Sequence, residues 1–133
     1  MPTPNPASAY RNQAVQTANG PHLLLMLCDR LAVDIARSEV ALGVNDNKAV
    51  NEHLQHAQRI VRMLRNALQP DGFTGGRELL SVYTFLETHL VRANLEKSPA
   101  LVKECAELVQ PIHDAWTRAV RAHERDNAPS HVG

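Results

Sequence analysis

His53 and His56 are three residues apart in a stretch whose apolar spacing reads as helix, so their imidazoles share a face with Glu52 alongside. That is the beginning of a metal site, but two histidines do not complete a ligand shell. A di-iron bundle needs paired Glu-x-x-His motifs on facing helices, and no glutamate in the chain is followed by histidine at that spacing. Cys28 with His22 offers a nucleophile and a base. However, Cys28 sits in a Leu-Met-Leu run, where desolvation raises a thiol's pKa and leaves it inert. Gly75-Gly76 belongs to no phosphate-binding loop, dinucleotide fingerprint or nucleophile elbow and reads as a hinge between elements. The expectation is a protein that is not an enzyme and holds neither cofactor nor metal.

Binding to nucleic acid or lipid fares no better. Lys plus Arg and Asp plus Glu number 14 each, so no net field draws in a polyanion. Arg59, Arg62 and Arg65 point to different azimuths with no aromatic residues between them, which predicts a solvated face. No apolar run reaches the roughly 18 residues of a membrane span, and the Pro-rich start lacks the basic and apolar regions of a signal peptide. Cys28 and Cys105 are far apart, each inside an apolar helical pattern, which suits a reducing compartment. Together these features predict a cytoplasmic protein with no membrane insertion.

The elements that carry these residues are helical. Leu, Ala and Val dominate the apolar set and aromatics are only 4% of the chain, a composition that favours helix over sheet. Residues 1–7, with three prolines, predict a mobile tail, and residues 126–133 a disordered one. Between them, residues 8–125 form one domain. Tyr10, Ala14 and Val15 share a face of a short helix over residues 8–18, too short to be stable unless docked, and so a detachable arm. Pro21 after Asn19-Gly20 starts a long helix that reaches residue 42. Gly43 and Asn45-Asp46-Asn47 stop it and cap a second, over residues 48–68. The breaker segment 69–76, with three glycines, implies mobility before a third helix over 77–96. Ser98-Pro99 starts a fourth, whose apolar spacing runs to Val120. Short connections between long helices make antiparallel neighbours. The predicted fold is therefore all-α, an antiparallel up-down four-helix bundle with a short N-terminal helix or arm.

The apolar faces are wider than such a core requires. The first long helix carries the stripe Leu24, Leu27, Cys28, Leu31, Ile35 and Leu42, with Leu23, Met26, Val33 and Val40 on a flank. The second carries Val50, Leu54, Ala57, Val61, Leu64 and Leu68, widened by Ile60, Met63 and Ala67, and the fourth has a double row that includes Val102, Val109 and Trp116. Either these second rows pack inside the bundle, or they form a contiguous apolar surface that marks an interaction site. Asn51 and Asn94, poor helix formers placed inside helices, imply a hydrogen-bonding duty to a neighbouring helix or to a bound backbone.

In their order along the chain, several short motifs resemble the flagellar secretion chaperone family (FliS). They are Ala9-Tyr10, Val15-Gln16-Thr17-Ala18, Pro21 with the run Leu23 to Asp29, Asn51-Glu52-His53-Leu54 and Ala57-Gln58-Arg59-Ile60-Val61 with Leu64. Tyr83-Thr84-Phe85-Leu86, Leu90, Ala93-Asn94 and the late Trp116 complete the series. Departures fall at Cys28, where an aromatic is common, at Asn19-Gly20, and across the 72–79 segment.

The resemblance implies a monomeric or weakly dimeric cytoplasmic chaperone that binds the C-terminal segment of flagellin, prevents its premature polymerisation and delivers it to the flagellar type III export gate. It also admits further flagellar regulators as partners; a helical adaptor for such a regulator is the alternative reading, with a His-ligated metal protein behind it. On this view Leu54, Ala57, Ile60, Val61, Leu64, Tyr83, Leu86, Asn94 and Trp116 are the expected cargo contacts, with core membership as the rival reading. Asn51 and Gln58 are the polar helix positions, and Tyr10, Val15 and Thr17 belong to an arm that cargo displaces. Physically, an amphipathic segment can lay its apolar face in a groove between helices and fold as it binds.

Overall fold

The computed structural model describes residues 20–72 and 74–126. The expected arm residues Tyr10, Val15 and Thr17 and both expected tails, apart from Asp126 itself, lie outside the described residues. Four helices carry the fold: α1 (Gly20–Gly43), α2 (Asn47–Ala67), α3 (Gly76–Glu96) and α4 (Pro99–Asp126), with a 3₁₀ turn at Pro70–Gly72 before α3. No strand occurs among the described residues, so the described fold is all-helical.

Local chemistry sets the boundaries. Past the end of α1, Asn45 takes the left-handed conformation at φ 57°. This is a role that asparagine tolerates better than other side-chain-bearing residues. Asp46 then caps α2, its carboxylate accepting from the Ala49 amide at 3.1 Å. Ser98 does the same for α4, accepting from the Leu101 amide at 3.1 Å, just ahead of Pro99 at the first helical position. α4 passes through Pro111 and continues beyond Val120 to Asp126.

Side-chain bonds between helices establish the direction of each pairing. From Asn51 to Arg65 along α2, the partners on α3 run backward from Asn94 to Glu87. From His22 to Asp29 along α1, the partners on α4 run backward from Glu124 to His113. From Tyr83 to His89 along α3, the partners on α4 retreat from Trp116 to Glu104. Every such pair is antiparallel, and each helix packs on two neighbours in the ring α1, α2, α3, α4. The α1 contacts are the most extensive and the α3–α4 seam is the thinnest. The core is filled by Leu24, Cys28, Leu31 and Ile35 of α1, Val50, Leu54, Ile60, Val61 and Leu64 of α2, Tyr83, Leu86 and Leu90 of α3, and Val102, Cys105, Val109 and Ile112 of α4.

The segment before α3 is closely packed at one of its glycines. Gly75 adopts φ 87° at the start of α3. Gly76 is buried so tightly that a Cβ would fall 2.1 Å from the Pro70 carbonyl oxygen. The two glycines let the 3₁₀ turn close against the helix start.

Candidate functional site

The residues with chemical potential do not converge. Cys28 is fully buried, and burial, followed by the neighbouring Asp29 charge, pushes its thiol up to about 12. His22 does not reach it as a base; it pairs with Glu124 across the α1–α4 seam at 3.0 Å. His56 bonds to Asp34, which is fully buried on α1 and also accepts from Arg30 at 3.2 Å, while His53 borders an open groove beside Val40 and Val44. The two histidines are therefore not drawn to a common ligand. His89 bonds Glu104 at 2.6 Å and His113 bonds Asp29, so histidine–carboxylate pairs cross the α1–α2, α1–α4 and α3–α4 seams. Across α2–α3 that task falls to Arg65, which reaches Glu87 at 2.6 Å, with Arg62 beside it at 3.6 Å. These groups fasten helices to one another.

The two asparagines also serve the bundle. The Asn94 side-chain amide donates to the Asn51 side-chain oxygen at 2.8 Å, and the Lys97 ammonium donates to the Asn94 backbone and side-chain oxygens at 2.6 and 2.9 Å. Of the two duties open to them, the one observed is to the neighbouring helix. Gln58 stands half-buried on α2. Trp116 donates from its indole to the Tyr83 hydroxyl at 3.2 Å, and burial, eased by that bond, pushes the Tyr83 phenol up to about 12.

Leu54, Ala57, Ile60, Val61, Leu64, Tyr83 and Leu86 are each at most 2% exposed. In this conformation they form part of the core. Asn94 is buried and Trp116 half-buried, so Trp116 alone of the expected cargo contacts offers appreciable surface.

The surplus lies elsewhere. Nine large apolar side chains are exposed among the described residues, and they gather chiefly on two outward faces. The α3 face carries Phe85, Val91 and Leu95, the last 78% exposed, with Phe85 stacked on His89 at 5.0 Å between ring centroids. Between them Ser81, Thr84 and Thr88 each donate their hydroxyl to the carbonyl four residues back, at 3.1, 2.9 and 3.2 Å. These three hydroxyls are satisfied within the helix, so covering them strands no hydrogen-bonding group. The second face belongs to α1 and the turn after it, where Met26, Val33 and Val40 on the helix and Val44 just beyond it are exposed.

Sequence spacing singled out the flank of α1 but not Val91 and Leu95. Their signal is the row Thr84, Thr88, Val91, Leu95 at steps of four, three and four, opposite the core row of the same helix.

The family model described as flagellar protein FliS matches residues 3–123. A flagellar secretion chaperone FliS of Bacillus subtilis (strain 168) is 28% identical over 126 residues, covering 95% of this chain and 94% of the relative. A flagellar secretion chaperone FliS of Escherichia coli (strain K12) is 25% identical over 111 residues, 80% of each.

Proposed function

The chain belongs to the FliS family of flagellar secretion chaperones, and on that premise we propose that it binds the C-terminal helical segment of flagellin in the cytoplasm, keeps it from polymerising early and brings it to the flagellar type III export gate. The observation that carries this reading is the α3 face. A core that is already filled still leaves Phe85, Val91 and Leu95 in solvent on a helix whose hydroxyls are satisfied internally. Such a face suits an amphipathic segment that supplies apolar anchors at helical spacing.

The buried residues of the resemblance then act indirectly: Leu54, Ile60, Tyr83 and Leu86 fix the position of α3, while Trp116 extends the apolar surface at the α4 side. Delivery implies that binding must be reversible, which folding on contact provides by charging its ordering cost against affinity.

The test is calorimetric titration of the full chain with a flagellin C-terminal peptide. Leu95→Asp is expected to weaken binding by at least tenfold, equivalent to about 1.4 kcal/mol, while helical circular dichroism and the melting curve stay close to the parent's. Unchanged affinity in Leu95→Asp and Phe85→Asp together would remove the α3 face from the reading, and absence of binding by the parent chain would remove flagellin.

A further inference from the structure

Phe85, on the outward side of α3, is held from behind. It is 55% exposed, yet its ring is stacked on the imidazole of His89, one turn further along the helix, with the planes 25° from parallel. Helical side chains lean toward the N-terminus, so a ring at position 89 covers the turn that carries Phe85.

His89 is itself fixed from the neighbouring helix. It is only 7% exposed, and its Nε2 lies 2.6 Å from Oε2 of Glu104 on α4. A carboxylate only accepts, so Nε2–H is the donor, and this one bond sets both the tautomer and the plane of the imidazole. Glu104 is exposed, so its carboxylate is hydrated and can be removed without emptying the core. A line of contacts therefore runs from α4 through Glu104 and His89 to a ring in solvent, across the thinnest seam of the bundle.

Fastening two helices needs the histidine–carboxylate bond alone, as between His56 and Asp34 or His22 and Glu124. The pair at His89 does more, because the same imidazole backs an aromatic ring on the α3 face. An unsupported phenylalanine on a helix surface divides its time between two χ1 rotamers and gives up that freedom when a partner covers it. Resting on the reading of this face as the flagellin site, we propose that His89 is its positioning residue: anchored by Glu104, it holds the Phe85 ring in one orientation, whose free side receives an apolar anchor of the partner helix. The grip of α3 then depends on a bond made by α4.

Direct attraction between Glu104 and a cationic group of the partner is the competing account. The two differ in what glutamine would do at that position, since its amide oxygen still accepts from His89 but carries no charge. Calorimetric titration of the full chain with the flagellin C-terminal peptide separates them. Glu104→Ala is expected to weaken binding about fivefold, with a melting curve close to the parent's. Glu104→Gln is expected to bind as the parent does, and Glu104→Ala to make no further difference once Phe85→Leu has removed the ring. Equal losses in Glu104→Gln and Glu104→Ala, or a loss that persists in the Phe85→Leu background, overturn the proposal by making Glu104 a direct contact. Unchanged affinity in Glu104→Ala overturns it as well. In the free chain, the ring proton resonances of Phe85, identified by their absence in Phe85→Leu, are expected to carry the ring-current shift of the imidazole and to lose it in Glu104→Ala. Resonances that stay in place would show that the bond to α4 does not hold the ring, whatever the peptide does. A parent chain that fails to bind the peptide removes flagellin from this face, and the Phe85 resonances then decide the positioning without it.

Discussion

At the scale of single residues, protons are held where water is absent. Cys28 and Cys105 ionise near 9 when solvated and only at about 12 in the folded protein, burial being the main cause for both. Between those values the unfolded chain has lost protons that the folded one keeps, so stability is fully present below pH 9 and falls as pH rises toward 12. Tyr83 adds to the loss above 10. Each group contributes up to about 1.4 kcal/mol per pH unit in that window. Urea melts taken between neutral and alkaline pH should show the decline, and Cys105→Ala should flatten it even as it lowers stability at neutral pH; an unchanged slope would assign the alkaline loss to other groups. The inertness of Cys28 was legible in its Leu-Met-Leu setting. The partners of the histidines were not, because Asp34 and His56 are 22 positions apart and meet only once α1 and α2 have packed.

At the scale of elements, the caps were readable and the orientation of the faces was less so. Asp46, Ser98 and Pro99 do what their types and positions predicted, because capping is decided within a few neighbouring residues. The apolar rows of α2 were equally visible, but which of two adjacent rows turns inward depends on the helices beside it; Ile60 is buried and Met63 exposed although both widen the same stripe. The turn before α3 shows the same limit. Its glycines suggest mobility when read alone, yet Gly76 is a packing site whose added Cβ would meet three Pro70 backbone atoms within 2.9 Å. Gly76→Ala is therefore expected to destabilise the protein by about 1–3 kcal/mol, since backbone atoms yield less readily than a side chain. Chemical denaturation measures this directly, and a variant as stable as the parent would show that the Pro70 contact yields without cost.

At the scale of the whole molecule, the ring of helices is unevenly held. α1 packs broadly on both neighbours, whereas α3 meets α4 along the thinnest seam. Native-state hydrogen exchange should therefore find α3 amides opening at lower free energy than those of α1; the reverse order would show that ion pairs such as Arg65–Glu87 hold α3 more firmly than packing alone suggests. The four-helix architecture was legible throughout, since three-four periodicity and short connections restrict a chain of this length to few folds. The division between core and surface was not. For Leu54, Ala57, Val61 and Leu64 the spacing left cargo contact and core membership both open, and in this conformation they are buried.

The internally bonded hydroxyls of α3 have a thermal consequence. With Ser81, Thr84 and Thr88 already satisfied, covering Phe85, Val91 and Leu95 beside them exchanges mostly apolar hydration, so association there should carry a negative heat-capacity change. Apolar attraction of that kind fades on cooling. A partner on α3 would be gripped more firmly in warmth and let go more readily in the cold.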